Sequence, residues 1–466
     1  MKKFNSRITR WFSVFAIALF AAAALSAQSR PMLQDIVVKS DPIAEATPLV
    51  RKTGSSTARI DEVVPNASGR AIKTSIPVLA DVDIPGYTGI LVESMDGTVV
   101  VETGSDQTYN PASNVKIATA YAVLKTFGPN YRFPTNVWTD GVYDEKTKTV
   151  IGNLYISGRD PVFNYENAIA IANELNRMGI RNINGDLIVT DNFTMNYSSS
   201  SNRSAQTLFA TLDMTKRSAA ATSAWLNFSR LKGLTGTVDV APSITISGGV
   251  SIGPMPSNVN MIFSHESAPM REILKVTLSY SNNFLAERLG DMVGGPYAVA
   301  NIVRVNGKID PQEFYLATSS GLGTNRVSPR AMMSLLRTLN KELARNKMSF
   351  ADIMPVAGID RGTLENRFDT DFSTGSVVGK TGTLGRTDGG VSTLAGEIST
   401  RGGKFLFVIF NQRGSVSRFR SFQNNFVSLI QGQFGGASSL GYTSVPMNSR
   451  IAKTRIVAAN SRSAGN

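Results

Sequence analysis

The sequence predicts an α+β protein in which an antiparallel sheet is flanked by helices and interrupted by an inserted, mainly β subdomain. Three observations carry this. Tyr87 to Thr103 alternates apolar and polar residues around Asp96-Gly97, so Gly89 to Met95 and Val99 to Glu102 form a hairpin, followed by an alanine-rich helical stretch. Gly375 to Leu384, Val391 to Ile398 and Lys404 to Phe410 read as consecutive antiparallel strands, joined by Gly389-Gly390 and Arg401-Gly402-Gly403. Between Tyr131 and about Asn258, short strand-like pieces (Thr149 to Ile156, Gly185 to Val189, Thr235 to Ile246) are separated by loops, with one helix around Tyr165 to Met178.

The remaining segments follow in order. Lys2, Lys3, Arg7 and Arg10 precede an apolar run from Trp11 to Leu25 and small residues up to Ala27, which reads as a secretory signal over 1–27, cleaved near Ala24 to Ala27. At about 15 residues the run is short for a membrane span, although an uncleaved anchor stays open as the alternative. The chain is therefore expected to be exported, and no cysteine follows the run to carry a lipid. Residues 28–76 are polar and punctuated and read as a flexible leader, with order expected from near Val78. The main domain is expected over 77–132 and 259–435, the inserted subdomain over 133–258. Met270 to Met292 and Ser328 to Asn346 have helical periodicity, Phe419 to Phe434 reads as a closing helix, and 436–466, rich in Ser, Asn and Ala, as a disordered tail.

Composition narrows the chemistry. The chain has no cysteine and one histidine, which excludes a cysteine nucleophile and a zinc site of several His or Cys ligands, and leaves His265 as the sole candidate for a Ser-His pair. A hydroxyl nucleophile would then need a lysine or carboxylate as base. Pro111-Ala112-Ser113-Asn114-Val115-Lys116 opens a helix running from Ala112 to Phe127 and ending at Gly128-Pro129. Positions i and i+3 share a helix face with Cβ atoms about 5 to 6 Å apart, so Lys116 can sit beside the Ser113 hydroxyl. The bland alternative is that Ser113 caps the helix and Lys116 reaches solvent. The net charge of +13 favours an anionic polymer or surface as neighbour, and nothing in the chain reads as a nucleic-acid-binding motif.

Two more short motifs follow. Ser281-Asn282-Asn283 interrupts an apolar helical stretch, where a polar trio faces a cleft or caps a helix. Lys380-Thr381-Gly382-Thr383 lies in a strand, with Gly379 and Gly382 removing side chains so that a ligand can approach the backbone.

Ser-x-x-Lys, Ser-x-Asn and Lys-Thr-Gly in this order resemble the penicillin-binding protein and serine β-lactamase superfamily. Longer stretches, His265-Glu-Ser-Ala-Pro-Met270 leading to Ser281-Asn-Asn-Phe-Leu-Ala-Glu287, Met354-Pro-Val-Ala-Gly358 with Gly362-Thr-Leu364, and Lys380-Thr-Gly-Thr383 with Leu394-Ala-Gly396, are similar to the D-alanyl-D-alanine carboxypeptidase/endopeptidase family of the penicillin-binding protein 4 type. The spacing 281 − 113 = 168 is too long for a compact class A β-lactamase and fits a domain inserted between the first two motifs. Thr318-Ser-Ser-Gly-Leu322 stands where the family usually has Asp-Gly-Ser-Gly-Leu, so an altered loop near the site is expected.

The resemblance implies a transpeptidase-like catalytic domain and a serine D-Ala-D-Ala carboxypeptidase, with D,D-endopeptidase activity left open, acting on peptidoglycan stem peptides through an acyl-serine. Penicillins would inhibit it covalently, no cofactor or metal is called for, and the location would be periplasmic. Ser113 would attack, Lys116 take its proton, and Ser281 relay a proton to the leaving D-alanine. Asn283 would hold the substrate amide. Lys380, Thr381 and Thr383 would bind the terminal carboxylate, with Gly382 between them, and the N–H groups of Ser113 and Thr383 would form the oxyanion hole. Asp160, in Ser157-Gly158-Arg159-Asp160-Pro161, would recognise a side-chain amine, or simply form an Asx turn. Among competing readings, Gly375-Ser-Val-Val-Gly379-Lys380-Thr381 has three residues between its glycines where a phosphate-binding loop needs four. A non-catalytic peptidoglycan-binding module and a β-lactamase remain as alternatives.

Overall fold

The computed structural model describes residues 63–65, 71–234 and 241–459; the signal read over 1–27 and most of the leader lie outside them. The chain begins with β1 (Val63–Pro65), β2 (Ala71–Thr74), β3 (Tyr87–Ser94) and β4 (Val99–Thr103), then a 3-10 turn at Ala112–Asn114 that runs into α1 (Val115–Phe127). There follow β5 (Pro134–Thr139), β6 (Val142–Asp144), β7 (Thr149–Ile151), β8 (Leu154–Gly158), α2 (Tyr165–Arg177), β9 (Asn182–Asn184), β10 (Leu187–Val189), α3 (Ser201–Leu212), α4 (Ala219–Leu231), β11 (Thr245–Ile246), β12 (Val250–Ile252) and β13 (Asn260–Glu266). The rest comprises α5 (Met270–Ser279), α6 (Asn283–Met292), α7 (Gly295–Gly307), β14 (Phe314–Tyr315), β15 (Arg326–Val327), α8 (Pro329–Arg345), β16 (Val377–Leu384), β17 (Val391–Thr400), β18 (Gly403–Gln412), α9 (Val416–Gln433), α10 (Met447–Ile451) and β19 (Arg455–Ala458).

The central sheet has the order β1-β2-β4-β3-β18-β17-β16 and is antiparallel throughout. Because successive side chains point to opposite faces, it supplies two cores. Leu91 of β3 joins Leu406, Val408 and Phe410 of β18 against helices α1 and α5 to α8. Ile90 and Val92, with Phe407 and Ile409, face α9 through Phe422, Phe426, Val427 and Ile430. This two-sided covering is why β17 is buried at every position, serines and threonines included. Strand β16 is left at the edge, where the site forms.

The structure corrects several boundaries. Order begins before Val78, since β2 pairs with β4 and Ile72 is buried. The inserted subdomain is not mainly β: α2, α3 and α4 contribute 13, 12 and 13 residues and pack with a six-stranded sheet (β12-β10-β8-β5-β13-β19) and a four-stranded one (β11-β9-β7-β6). Helix α3 buries Ser204, Ala205, Leu208, Thr211 and Leu212, a face too polar to stand out by hydropathy, and α4 buries only Ala221 and Phe228. Their starts were nonetheless encoded, as Ser200 and Ser218 accept from the backbone N–H three residues on at 3.2 Å each. The subdomain also extends past 258, because β13 lies inside its larger sheet. Met270 to Met292 is two helices, broken at Ser281, whose φ is +54°. His265 lies in β13, 1 % exposed, near Asn167 Nδ2 at 3.3 Å, and burial holds its imidazole down at about 3, so it is a neutral core residue.

The tail read as disordered is ordered through Gly436 to residue 459. Strand β19 pairs with β13, and polar groups anchor what precedes it. Tyr442 and Ser444 donate to Asp360 Oδ1 at 3.0 and 3.2 Å; Arg450 donates to Glu272 at 2.7 Å, with Lys453 on the other oxygen. Asp360 in turn accepts from the fully buried Lys275 at 2.6 Å, whose Nζ also reaches the carbonyls of Ala351 and Met354 at 2.7 and 2.5 Å and lies 4.6 Å from the Tyr442 ring centre. Burial draws the Lys275 ammonium down to about 8 against the pull of Asp360. Hydropathy does not announce such a segment, because scattered apolar residues (Leu440, Met447, Ile451) and hydrogen bonds to groups buried by other elements hold it in place of a periodic apolar face.

Removing one partner of a buried ion pair strands the other charge, so Asp360→Ala should lose about 3 to 5 kcal/mol in urea unfolding at neutral pH. It should also make the chain after Gly436 sensitive to limited proteolysis. A loss under about 1 kcal/mol would show that Lys275 is satisfied by its carbonyls alone.

Candidate active site

Ser113 sits in the 3-10 turn before α1, and the helix is capped without a side-chain hydrogen bond from Asn114, so Ser113 is not a cap residue. The turn is held in an unfavourable conformation. Ala112 has φ +47°, its N–H donates to Asn110 Oδ1 at 3.0 Å, and Asn110 Nδ2 donates to Asp388 at 2.8 Å and to the Gly323 carbonyl at 3.0 Å. Two glycines press on it. A Cβ at Gly321 would lie 2.0 Å from the Ala112 carbonyl oxygen. One at Gly382 would meet Thr393 Oγ1 at 2.1 Å, the Pro111 carbonyl at 2.8 Å and Ala112 Cβ at 2.9 Å. The Lys380-Thr-Gly strand therefore lies directly against the serine turn.

Lys116 is 1 % exposed, and its Nζ is 3.1 Å from Ser113 Oγ, 2.6 Å from Asn283 Oδ1 and 2.6 Å from the Ser320 carbonyl. Two of these neighbours are oxygens that only accept. The third, the Ser113 hydroxyl, can accept or donate. The loop 318–322 is thus part of the site. Thr318 closes it by donating to the Leu322 carbonyl at 2.7 Å and accepting from Gly321 at 3.1 Å, while Glu287 accepts the N–H groups of Ser319 and Ser320 at 3.1 and 2.9 Å. The departure at Thr318 leaves a closed loop that still presents the Ser320 carbonyl to Lys116. Sequence reasoning missed this carbonyl because a main-chain acceptor carries no residue signature, and missed Asn110 and Asp388 because they meet only across 278 residues of chain.

The second trio divides its tasks. Asn282 caps α6 by accepting from Leu285 at 3.0 Å, which leaves Ser281 and Asn283 to the site. Lys380, fully buried, donates to Ser281 Oγ at 2.9 Å and to the Thr381 carbonyl at 2.6 Å; burial, and then the charge of Lys116, push its pKa well below the ordinary lysine range. Thr383 is exposed and accepts from Arg420 at 3.0 Å. Asp160 is 2 % exposed and forms an Asx turn, accepting from Val162 at 3.0 Å, while its Oδ2 has no partner. Burial raises its carboxyl to about 7. Tyr197 packs edge-on against Phe284 of α6, and its phenol is pushed up to about 12 by burial, then by Glu166 and Asp160.

A serine hydroxyl beside one buried lysine, with a second buried lysine on the edge strand against it, make up the candidate site. Residues 77–224 and 239–430 match the D-Ala-D-Ala carboxypeptidase 3 (S13) family. The chain belongs to that family. It is a D-Ala-D-Ala carboxypeptidase, a serine-type hydrolase. Among curated relatives, it is 26 % identical over 438 residues to the D-alanyl-D-alanine carboxypeptidase of Actinomadura sp. (71 % of this chain, 80 % of that one). It is also 26 % identical over 442 residues to the carboxypeptidase DacB of Mycolicibacterium smegmatis (86 % and 92 %). Its fold is similar to that of the penicillin G-acylated predatory endopeptidase of Bdellovibrio bacteriovorus, with a TM-score of 0.68 at 21 % identity, covering 80 % of this chain and 100 % of that one.

In this S13 enzyme the contact at Gly382 sets the distance between strand and serine. Gly382→Ala should fold but lose about 100-fold or more in kcat/KM on a D-Ala-D-Ala peptide, because an ångström of displacement is enough to spoil attack geometry. Near-normal activity with an unchanged melting temperature would refute the tight contact.

Proposed function

We propose that Ser113 is the acylated nucleophile of a D-Ala-D-Ala carboxypeptidase that trims peptidoglycan stem peptides, and also opens D,D-cross-links. The observation that carries this reading is the Lys116 amine 3.1 Å from Ser113 Oγ with its N–H bonds directed to the Asn283 and Ser320 oxygens. Lys116 takes the hydroxyl proton as Oγ bonds to the carbonyl carbon between the two D-alanines. The oxyanion is met by the N–H groups of Ser113 and Thr383. Collapse breaks the C–N bond, the leaving D-alanine amine receives a proton through Ser281, which Lys380 orients, and the acyl-Ser113 ester remains. Water, deprotonated by the same amine, then releases the shortened peptide. Asn283, positioned by its bond to Lys116, receives the substrate amide, and Thr381 and Thr383 line the strand edge along which the substrate lies. Penicillins acylate the same serine. With its secretory signal over 1–27, the enzyme is exported and acts in the periplasm.

Asp160 belongs to the same reading as the receptor for the amine of the stem-peptide side chain. Its orphaned Oδ2 is a buried acceptor that an incoming ammonium would satisfy, and the charge of that ammonium would return a carboxyl titrating near 7 to its ionised form.

Ser113→Ala should abolish both peptide hydrolysis and labelling by a fluorescent penicillin, and Lys116→Ala should cut acylation by about 1000-fold or more with the fold intact. Labelling that persists in the serine variant would refute the nucleophile, whereas a wild type that neither labels nor hydrolyses the peptide would favour the non-catalytic module. Mass spectrometry of a defined cross-linked muropeptide separates trimming from cross-link cleavage. For Asp160→Asn, the expected result is a fall of about 10-fold in kcat/KM on peptides with a free side-chain amine and little change once that amine is acetylated; equal loss on both would reduce Asp160 to a turn residue.

A further inference from the structure

The inserted subdomain has a cleft that acyl transfer at Ser113 leaves unused. Strands β8, β10 and β12 are parallel and in step: Ile156 pairs with Val189, and Val189 with Ile252. All three therefore end at one level. The segments 157–159, 190–192 and 253–255, which leave their carboxyl ends, line a cavity of about 620 Å³. Asn136 of β5 and Tyr131 just before it close one side, and Met292, the last residue of α6, closes another. A crevice at the carboxyl ends of parallel strands is where open α/β sheets bind ligands, and this one has the size of a small-molecule site.

The lining indicates the ligand. Arg159 and Asp191 are exposed, and among the described residues neither side chain takes part in an ion pair or hydrogen bond. A guanidinium and a carboxylate offered together favour no net charge; they suit a neutral ligand rich in hydroxyl and amide groups, for which one donates and the other accepts. Apolar surface stands beside them. The Tyr131 ring is held between Phe127 and Phe133, at centroid distances of 4.9 and 5.1 Å, and Met255 and Met292 add pliable thioethers. Asn136 shares its face of β5 with the half-buried Trp138, whose Nε1 donates to Ser157 Oγ at 2.9 Å, so an amide and an indole continue the cleft along the sheet. Hydroxyls edge-on to planar polar groups, with C–H faces and an acetyl methyl on apolar ones, is how an N-acetylated sugar is held. The position agrees. Met292 is 292 − 283 = 9 residues past Asn283 on α6, about 14 Å at the helical rise, which an extended peptide spans with about four residues. Arg159 also directly precedes Asp160, the receptor proposed for the stem side chain. A stem peptide held at Ser113 thus reaches the cleft near its amino end, where it joins the sugar strand.

We propose that this cleft binds N-acetylated sugars of the glycan strand next to the stem peptide being cleaved, with Arg159 and Asp191 as its polar contacts. The enzyme therefore prefers stems still attached to the polymer over free peptide. The inference deepens the acyl-Ser113 reading and rests on it. It also gives the parallel half of the subdomain sheet a task of its own.

The test compares kcat/KM for a stem peptide carrying its disaccharide with that for the same peptide without sugar, so that the readout is a ratio and global damage cancels. In the wild type the sugar-bearing form should be preferred about 10-fold, and Arg159→Ala and Asp191→Ala should each lower that preference roughly 3- to 10-fold, the range for one lost hydrogen bond. A wild-type ratio within about twofold of one overturns the proposal. So does a ratio in the double variant within about twofold of the wild type's, even if both absolute rates fall. A wild type that cleaves neither form refutes the acyl-Ser113 reading instead, and calorimetric titration with an N-acetylglucosamine tetramer then decides the cleft. Saturable binding that the double variant weakens upholds it, and absence of binding overturns it.

Discussion

Everything at the site depends on how near an edge strand comes to the turn that carries Ser113. Three chain segments far apart in sequence meet there: the serine turn, the loop 318–322 and β16. Each meeting point is a backbone-to-backbone approach that a single methyl group would block. Glycine at 321 and 382 is thus a matter of distance more than of flexibility. The left-handed Ala112 and Ser281 are the cost of the same arrangement, for a regular helix start at either place would turn the hydroxyl away from its lysine.

A second constraint is electrostatic. Two buried lysines share one small site, and each is satisfied largely by neutral oxygens. Placing a carboxylate beside either would relieve the repulsion and at the same time fix the proton on nitrogen, which is the state a base must avoid. Asn283, Ser281 and main-chain carbonyls hold the amines in place without making that demand. The acids of the region are used at one remove: Glu287 shapes the loop through its N–H groups, and Asp388 is joined to Arg326 while it positions Asn110.

Much of this was legible beforehand, and the reasons differ by element. The hairpin at Asp96-Gly97 and the three strands after Gly375 were readable because turn chemistry and apolar alternation agree there. Ser113, Lys116, Ser281, Asn283 and Lys380 were singled out by the resemblance of three short ordered motifs, and the structure places them beside one another. What stayed hidden was of two kinds. Helices α3 and α4 have faces of small and polar residues, so their caps spoke and their periodicity did not. The Ser320 carbonyl, the order beyond Gly436 and the neighbourhood of Arg420 all arise from groups whose partners are more than thirty residues away, and no local pattern encodes a distant partner.

The last strand has a consequence for how the molecule comes into being. Until β19 arrives, β13 is an open edge of the larger sheet of the subdomain, with its backbone donors and acceptors on that side unpaired. A chain that emerges amino-terminus first must therefore carry an adhesive edge from the synthesis of β13 until that of β19. The subdomain is complete only when the final residues appear, and its closure reports that the catalytic half between them has been made.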